Sequence, residues 1–208
     1  MKRLKFIAFI AALFVCGTAS AQFTNSGNNN RGKSSSNNIS TDIRFRGEFN
    51  VGLTFGKIKI LDEKSPNTGY APYGSFMAGA KIGDYFSIGA GAGFKYITYS
   101  DSGGSISASL IPIFADIKVY YPATDAISPF LLFDIGYGIA VSSKFYGMDF
   151  DSYFKGGLAM KFGAGIQISS FMLSLGYDSQ KAKYEDYGSS VEISHGGFFV
   201  SIGVVLGD

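Results

Sequence analysis

The sequence predicts an all-β protein: an eight-stranded antiparallel up-and-down barrel that crosses a membrane with its strands. Three observations carry this. An alternation of apolar and polar residues recurs eight times within residues 43–206. The connections between these segments are alternately short and long. A secretory address precedes them all. Successive side chains on a strand point to opposite faces, so each segment has one apolar and one polar face. In a bilayer every backbone polar group must be satisfied by protein, and strands achieve this only in a closed barrel.

The address comes first. Lys2, Arg3 and Lys5 form a positive start, residues 6–15 an apolar run, and Ala19-Ser20-Ala21 a small-x-small cleavage pattern. Residues 1–21 are therefore expected to be a signal peptide cleaved after Ala21. The run is too short for a membrane anchor, because a spanning helix needs about 20 apolar residues. Cys16 is the single cysteine and falls inside the removed segment. Val15 is not the small residue that a lipoprotein cleavage site wants before its cysteine. The mature chain is thus expected to have no disulfide, no thiol nucleophile and no sulfur metal site. The 18 basic residues include the three of the signal, so 15 remain against 16 acidic ones. A near-neutral chain does not suit nucleic acid. No later apolar run is long enough for a spanning helix, so the spanning must be done by strands.

Residues 22–42 are rich in Asn, Ser and Gly. They offer too little apolar surface to offset the entropy of ordering, and a disordered periplasmic linker is expected. The barrel domain then runs over residues 43–208. Its strands are expected near 43–56, 73–83, 86–99, 108–121, 129–142, 154–168, 171–181 and 192–206. In the first, Ile43, Phe45, Phe49, Val51, Leu53 and Phe55 share one face, and Arg44, Arg46, Glu48, Asn50 and Thr54 the other. Residues 83–85 and 169–170 read as tight turns and 122–128 as a modest one. Residues 57–72, 100–107, 143–153 and 182–191 read as longer polar loops. Outer-membrane barrels keep their short turns in the periplasm, so both termini are expected there.

A soluble eight-stranded barrel would show the same alternation with its apolar face inward. Its wet outer face would be dense in long polar side chains. Here the polar face of the third segment is Ser87, Gly89, Gly91, Gly93 and Lys95, and that of the sixth is Gly157, Ala159, Lys161, Gly163, Gly165 and Gln167. Small residues suit the crowded inside of a narrow barrel, which leaves the continuous apolar faces for lipid.

The segment Ile111-Pro112-Ile113-Phe114-Ala115-Asp116-Ile117-Lys118-Val119-Tyr120-Tyr121, and Pro129-Phe130 after the following turn, resemble small outer-membrane barrels of the PorT-like and OmpX-like kind. The last segment, from Gly197 to Leu206, is similar to the terminal strand read by outer-membrane assembly machinery. It lacks the usual final aromatic residue, and Gly207-Asp208 trails beyond it. The resemblance implies fold and location, the outer membrane of a diderm bacterium, and no particular activity.

The inward set predicted by parity holds Arg44, Arg46, Lys81, Lys95, Lys118 and Lys161 against Glu48, Asp116, Asp134 and Asp178. Eight strands leave room for little more than side chains. Phe114, Tyr120 and Met172 also point inward, so these charges read as a paired core and not as the lining of a pore. His195 is the only histidine, and its neighbour Ser194 must face the other way, which argues against a Ser–His pair. Asp149 and Asp151 on a loop read as solvated charge. No catalytic residue, metal or cofactor is expected. Tyr70, Tyr73, Tyr99 and Tyr153 near strand ends read as an interfacial aromatic girdle. Tyr146, Phe150, Tyr184 and Tyr187 at loop centres read as partner contacts. The expected role of this monomeric barrel is structural or interactive. Its partners would be outer-membrane lipid and an envelope protein reached through the loops or the N-terminal linker. The rival roles are a narrow pore and a lipid-modifying enzyme.

Overall fold

In the computed structural model the described residues are 42–60, 63–64, 68–101, 104–124, 126–145, 148–149, 154–186 and 189–207. The expected signal peptide with Cys16, the linker up to residue 41, and Tyr146, Phe150, Asp151, Tyr153 and Tyr187 lie outside them. The side chains of Tyr184 and Asp149 do so too.

Eight long strands are present among the described residues: β1 (Ile43–Ile60), β2 (Gly69–Ile82), β3 (Phe86–Asp101), β4 (Gly104–Tyr120), β5 (Ile127–Phe145), β6 (Gly157–Ile168), β7 (Phe171–Asp186) and β8 (Ser189–Leu206). Each pairs antiparallel with its sequence neighbours. β8 returns to pair with β1 from Gly47↔Leu206 to Ile60↔Ile193, which closes the barrel. Three two-residue pieces extend the hairpins: Glu63–Lys64 on β1, Met148–Asp149 on β5, and Phe154–Lys155 on β7.

The closure has a countable geometry. From Phe45 the register passes to Ala80, Ile88, Ile117, Phe133, Phe162, Tyr177 and Phe198, then returns to β1 at Phe55. One circuit therefore advances ten residues along β1, from 45 to 55. Ten residues at about 3.3 Å against eight spacings of about 4.8 Å tilt the strands by about 41° and set a radius of about 8 Å. All nine residues on that path are apolar and outward. Between them and beyond, Phe49, Phe86, Phe94, Ile113, Leu131, Leu175, Val200 and Ile202 are exposed large apolar residues. The outside is a continuous apolar belt.

The tight turns sit at one end. Ser169 takes a left-handed backbone (φ 52°) between β6 and β7, and Gly83 does the same (φ 57°) between β2 and β3. At the other end the hairpins are longer than the alternation predicts. Residues 57–60, 69–72, 104–107, 143–145, 182–186 and 189–191, expected as loop, are strand. The physical reason is that a hairpin standing above a lipid belt pairs its backbone without needing an apolar outer face. Lys57, Lys59 and Lys183 face outward and are exposed there. On β5 the register shifts between Ser109/Leu110 and their partners, so that Val141 is the extra residue of a bulge.

The inside is filled by aromatic rings laid over glycines. Tyr73 opposes Gly52, Phe114 opposes Gly91, Phe130 opposes Gly165, and Phe199 opposes Gly176. A Cβ added to any of these four glycines would meet the opposing ring within 2.9 Å. The small residues of the polar faces are thus seats for inward rings. Tyr73 and Tyr99 depart from the girdle expected for them: both point inward and are buried, Tyr73 on the midpart of β2 and Tyr99 near the end of β3. Tyr70 does lie outward, edge-on to Phe55 at 5.9 Å between ring centroids.

Candidate functional site in the barrel interior

The charges climb the inner wall as the strands tilt. At the turn end Arg46, with no solvent exposure, donates from Nε to Glu48 Oε1 at 2.6 Å. Its Nη2 donates to Gln167 Oε1 at 2.8 Å, and its guanidinium lies 5.1 Å from the Tyr120 ring centre. Glu48, equally buried, accepts through Oε2 from Lys118 Nζ at 2.8 Å. Lys118 also donates to both oxygens of Asp116, at 2.8 and 2.7 Å. Glu48 therefore joins two cations, and Lys118 joins two carboxylates.

From Asp116 the network follows the register. Asp116, Asp134, Lys161 and Asp178 are directly opposed on β4, β5, β6 and β7. Lys161 Nζ is 3.7 Å from Asp134 and lies 4.2 Å over the Tyr73 ring and 5.3 Å from that of Phe199. Asp178 accepts from Lys95 Nζ at 2.9 Å and from Thr54 Oγ1 at 3.0 Å. The network thus runs from Arg46 near the turns to Lys95 near the hairpins, with Asp116 and Asp134 opposed at its middle, and its hydrogen bonds bridge residues 70, 83 and 121 apart in sequence.

Two of the parity-predicted residues stand apart from this chain. Arg44 is a correction: its side chain is 37% exposed at the turn end and bonds Asp84 at 3.0 Å, with Asp42 at 3.7 Å. Parity gives a face and not a depth, and Arg44 is only the second residue of its strand. Lys81 is half-buried near the same end, with its Nζ 5.5 Å from the Tyr120 ring centre.

Apolar side chains fill the axis between the charges and cap it at the hairpin end. Tyr73, Tyr120, Phe130, Leu132, Met172, Phe199 and Val205 form one buried cluster. Ile58, Ala71, Ile97, Tyr99 and Leu110 form another at the hairpin end, with Ala140 and Ile193 against it. Two small spaces among the described residues, of about 40 and 30 Å³, are both lined by Tyr73, Ser75, Phe114, Asp134 and Lys161. Each has room for a water molecule or two. His195 is buried inside opposite Gln180 and Ile58. Ser194 lies on the opposite face of the same strand, half-exposed. Among the described residues no group of three His, Cys, Asp or Glu side chains is placed to hold a metal ion.

No protein-family model matches the chain, and no curated protein matches it. Solved structures do. The chain is similar to Neisserial surface protein A, at 16% identity over 77% of this chain and 96% of that one, with a TM-score of 0.50. It is also similar to OprG from Pseudomonas aeruginosa, at 12% identity over 81% and 97% and a TM-score of 0.41. The outer membrane enzyme PagL matches at 12% identity over 73% and 97%, with a TM-score of 0.42. The likeness to the Neisserial protein establishes the fold: a closed eight-stranded antiparallel barrel of the outer-membrane kind.

Proposed function

We propose that this chain is a small barrel of the outer membrane of a diderm bacterium. Its interior is a packed core, and its role is structural or interactive, carried by the hairpins that rise beyond the lipid belt. The observation that carries this is the filled axis. One apolar cluster interleaves with the charge network, a second caps it at the hairpin end, and four ion pairs within the network are held at 2.6–2.9 Å. A path for ions would have to break these contacts. The continuous outward apolar belt supports the membrane setting. The PorT-like resemblance of residues 111–121 and of Pro129-Phe130 fits the same reading. We assign no catalytic role to His195, because the reading leaves it inside the wall while Ser194 faces away. An envelope protein meeting the hairpins or the N-terminal linker is the partner this reading calls for.

The test is conductance. The full chain reconstituted in a planar bilayer should carry no steady current, and in cells it should fractionate with the outer membrane and migrate faster on gels when unboiled. An ion-selective current whose selectivity changes in Lys161→Glu, with stability unchanged, would overturn the packed-core reading in favour of a pore. Recovery as a soluble periplasmic protein would overturn the location.

A further inference from the structure

Five lysines stand outward on one side of the barrel, directly beyond the apolar belt. Lys57 and Lys59 lie on β1, Lys181 and Lys183 on β7, and Lys155 opposes Lys183 across their pairing. Lys57, Lys59, Lys155 and Lys183 are exposed, and the Lys181 side chain is 45% exposed. Of the described side chains, Glu192 on β8, between β1 and β7, is the one acid outward among them; Lys181 Nζ donates to its Oε1 at 2.7 Å. That hydrogen bond, together with the nearby charges of Lys181 and Lys183, holds the Glu192 carboxyl below its ordinary range. It therefore stays ionised and offsets one lysine of the five.

The closure geometry puts them at one level. With the strands tilted about 41°, each residue advances about 2.5 Å along the barrel axis, and each in-register step from β1 towards β2 climbs about 3 Å. Measured this way from Phe49, the outward apolar residues Phe55, Tyr70, Tyr96 and Leu158 lie about 15–18 Å up, and the five lysines about 19–25 Å up. The collar is therefore about 6 Å deep and begins where the belt ends. Around the rest of the wall the outward described residues of that level include the uncharged Thr68, Thr98, Ser107, Ser109 and Val141. Among the described side chains the charge is one-sided, continuous with the outward apolar surface, and at the depth the membrane reading gives to headgroups.

We propose that this collar is a docking surface for lipid headgroups carrying exposed phosphate monoesters, in the leaflet on the hairpin side. It rests on the membrane reading above. Ammonium groups on long stems suit this partner. The stems lie along the top of the apolar belt, and the heads present point charges to phosphate oxygens. Net charge near zero for the mature chain makes the segregation itself informative, because it places a local excess of cations where lipid must pass.

The experiment uses the full chain refolded into phosphatidylcholine vesicles doped with spin-labelled phosphatidic acid or, separately, spin-labelled phosphatidylcholine. The motionally restricted fraction reports which lipid the barrel retains. Wild type should select phosphatidic acid by at least about fivefold, the contribution of a single lysine at an anionic surface. Lys57→Gln, Lys59→Gln, Lys181→Gln and Lys183→Gln combined should bring the ratio within about twofold of unity, and Glu192→Gln alone should raise it. Inorganic phosphate should compete no better than chloride at equal ionic strength, since the ligand is a lipid and not the free ion. Equal retention of both lipids by wild type, selection that survives the fourfold variant, or specific displacement by free phosphate would each overturn the docking surface. Failure of the chain to insert, read as no unboiled gel shift, would overturn the membrane reading and this proposal with it. Insertion without selection would overturn the docking surface alone.

Discussion

Replacing Glu48 by alanine should cost the barrel about 3–5 kcal/mol, the penalty for stranding buried charge. The magnitude follows from its two partners. Glu48 has no solvent exposure, and it holds Arg46 through one oxygen and Lys118 through the other. Without it, the Gln167 oxygen at 2.8 Å and the Tyr120 ring remain beside Arg46, and both are neutral. Asp116 remains beside Lys118. Lys118 then keeps one carboxylate of two, and Arg46 loses the carboxylate that its Nε holds at 2.6 Å. Asp116→Ala removes a carboxylate as well, but it should cost less, about 1–3 kcal/mol. Lys118 keeps Glu48 at 2.8 Å, and the Arg46–Glu48 pair is undisturbed. Pairing Glu48→Ala with Lys118→Met should recover part of the loss, with a coupling of about 0.5–3 kcal/mol. The chain has no tryptophan, so the folded fraction is best read from unboiled gel mobility and far-UV circular dichroism along a urea titration in vesicles. A Glu48→Ala barrel within about 1 kcal/mol of wild type would refute the reasoning. So would an Asp116→Ala variant that is the costlier of the two.

Three further outcomes are expected. Phe162→Arg places a charge near the middle of the belt and should cost about 2–4 kcal/mol, while Lys59→Gln on the hairpin should stay within about 0.5 kcal/mol of neutral; equal tolerance of both in the same titration would reject the facing assignment. Gly176→Val would drive a side chain into the Phe199 ring and the Phe162 carbonyl, so a loss of at least about 1–3 kcal/mol is expected; an unchanged urea midpoint would show that the ring is not seated there. Ser169→Gly relieves a left-handed backbone at the β6–β7 turn and should raise stability by up to about 1 kcal/mol, whereas Ser170→Gly next to it should not; a drop for Ser169→Gly would contradict the turn geometry.

The facing of the strands was legible because the outward face is uniform: from Phe45 to Phe55 and from Phe171 to Tyr177, every outward position is apolar or small. The hairpin ends were not, because nothing apolar is demanded above the belt. Lys57, Lys59, Lys181 and Lys183 sit where alternation stops although pairing continues. The same blindness hid the basic collar, since lysines from residues 57 to 183 come together only after the register is known. Parity placed Arg46, Glu48, Asp116, Lys118, Asp134, Lys161 and Asp178 on the inner face, but their partners depend on the ten-residue advance around the wall. No local pattern joins Arg46 to Gln167 or Lys95 to Asp178. Arg44 shared the parity of Arg46 and differed only in height.

The ring-on-glycine seats have a consequence for how wide the barrel is. A slip of one residue between neighbouring strands would turn side chains inside out and is forbidden by lipid. A slip of two leaves every face as it was, so the outer surface cannot detect it. The seats can. A two-residue slip would set Tyr73 against Asn50 or Thr54, and Phe199 against Ser174 or Asp178. It would set Phe130 against Gln167 in one direction. Of the four seats only that between β3 and β4 would be indifferent in both directions, since Phe114 would meet Gly89 or Gly93. Each such slip would change the advance around the wall by two residues and the radius by about 0.7 Å. A radial gap of that size forfeits roughly a quarter to a half of each dispersion contact across it. Girth in this molecule is therefore a discrete quantity, and glycines on the inner wall select its value.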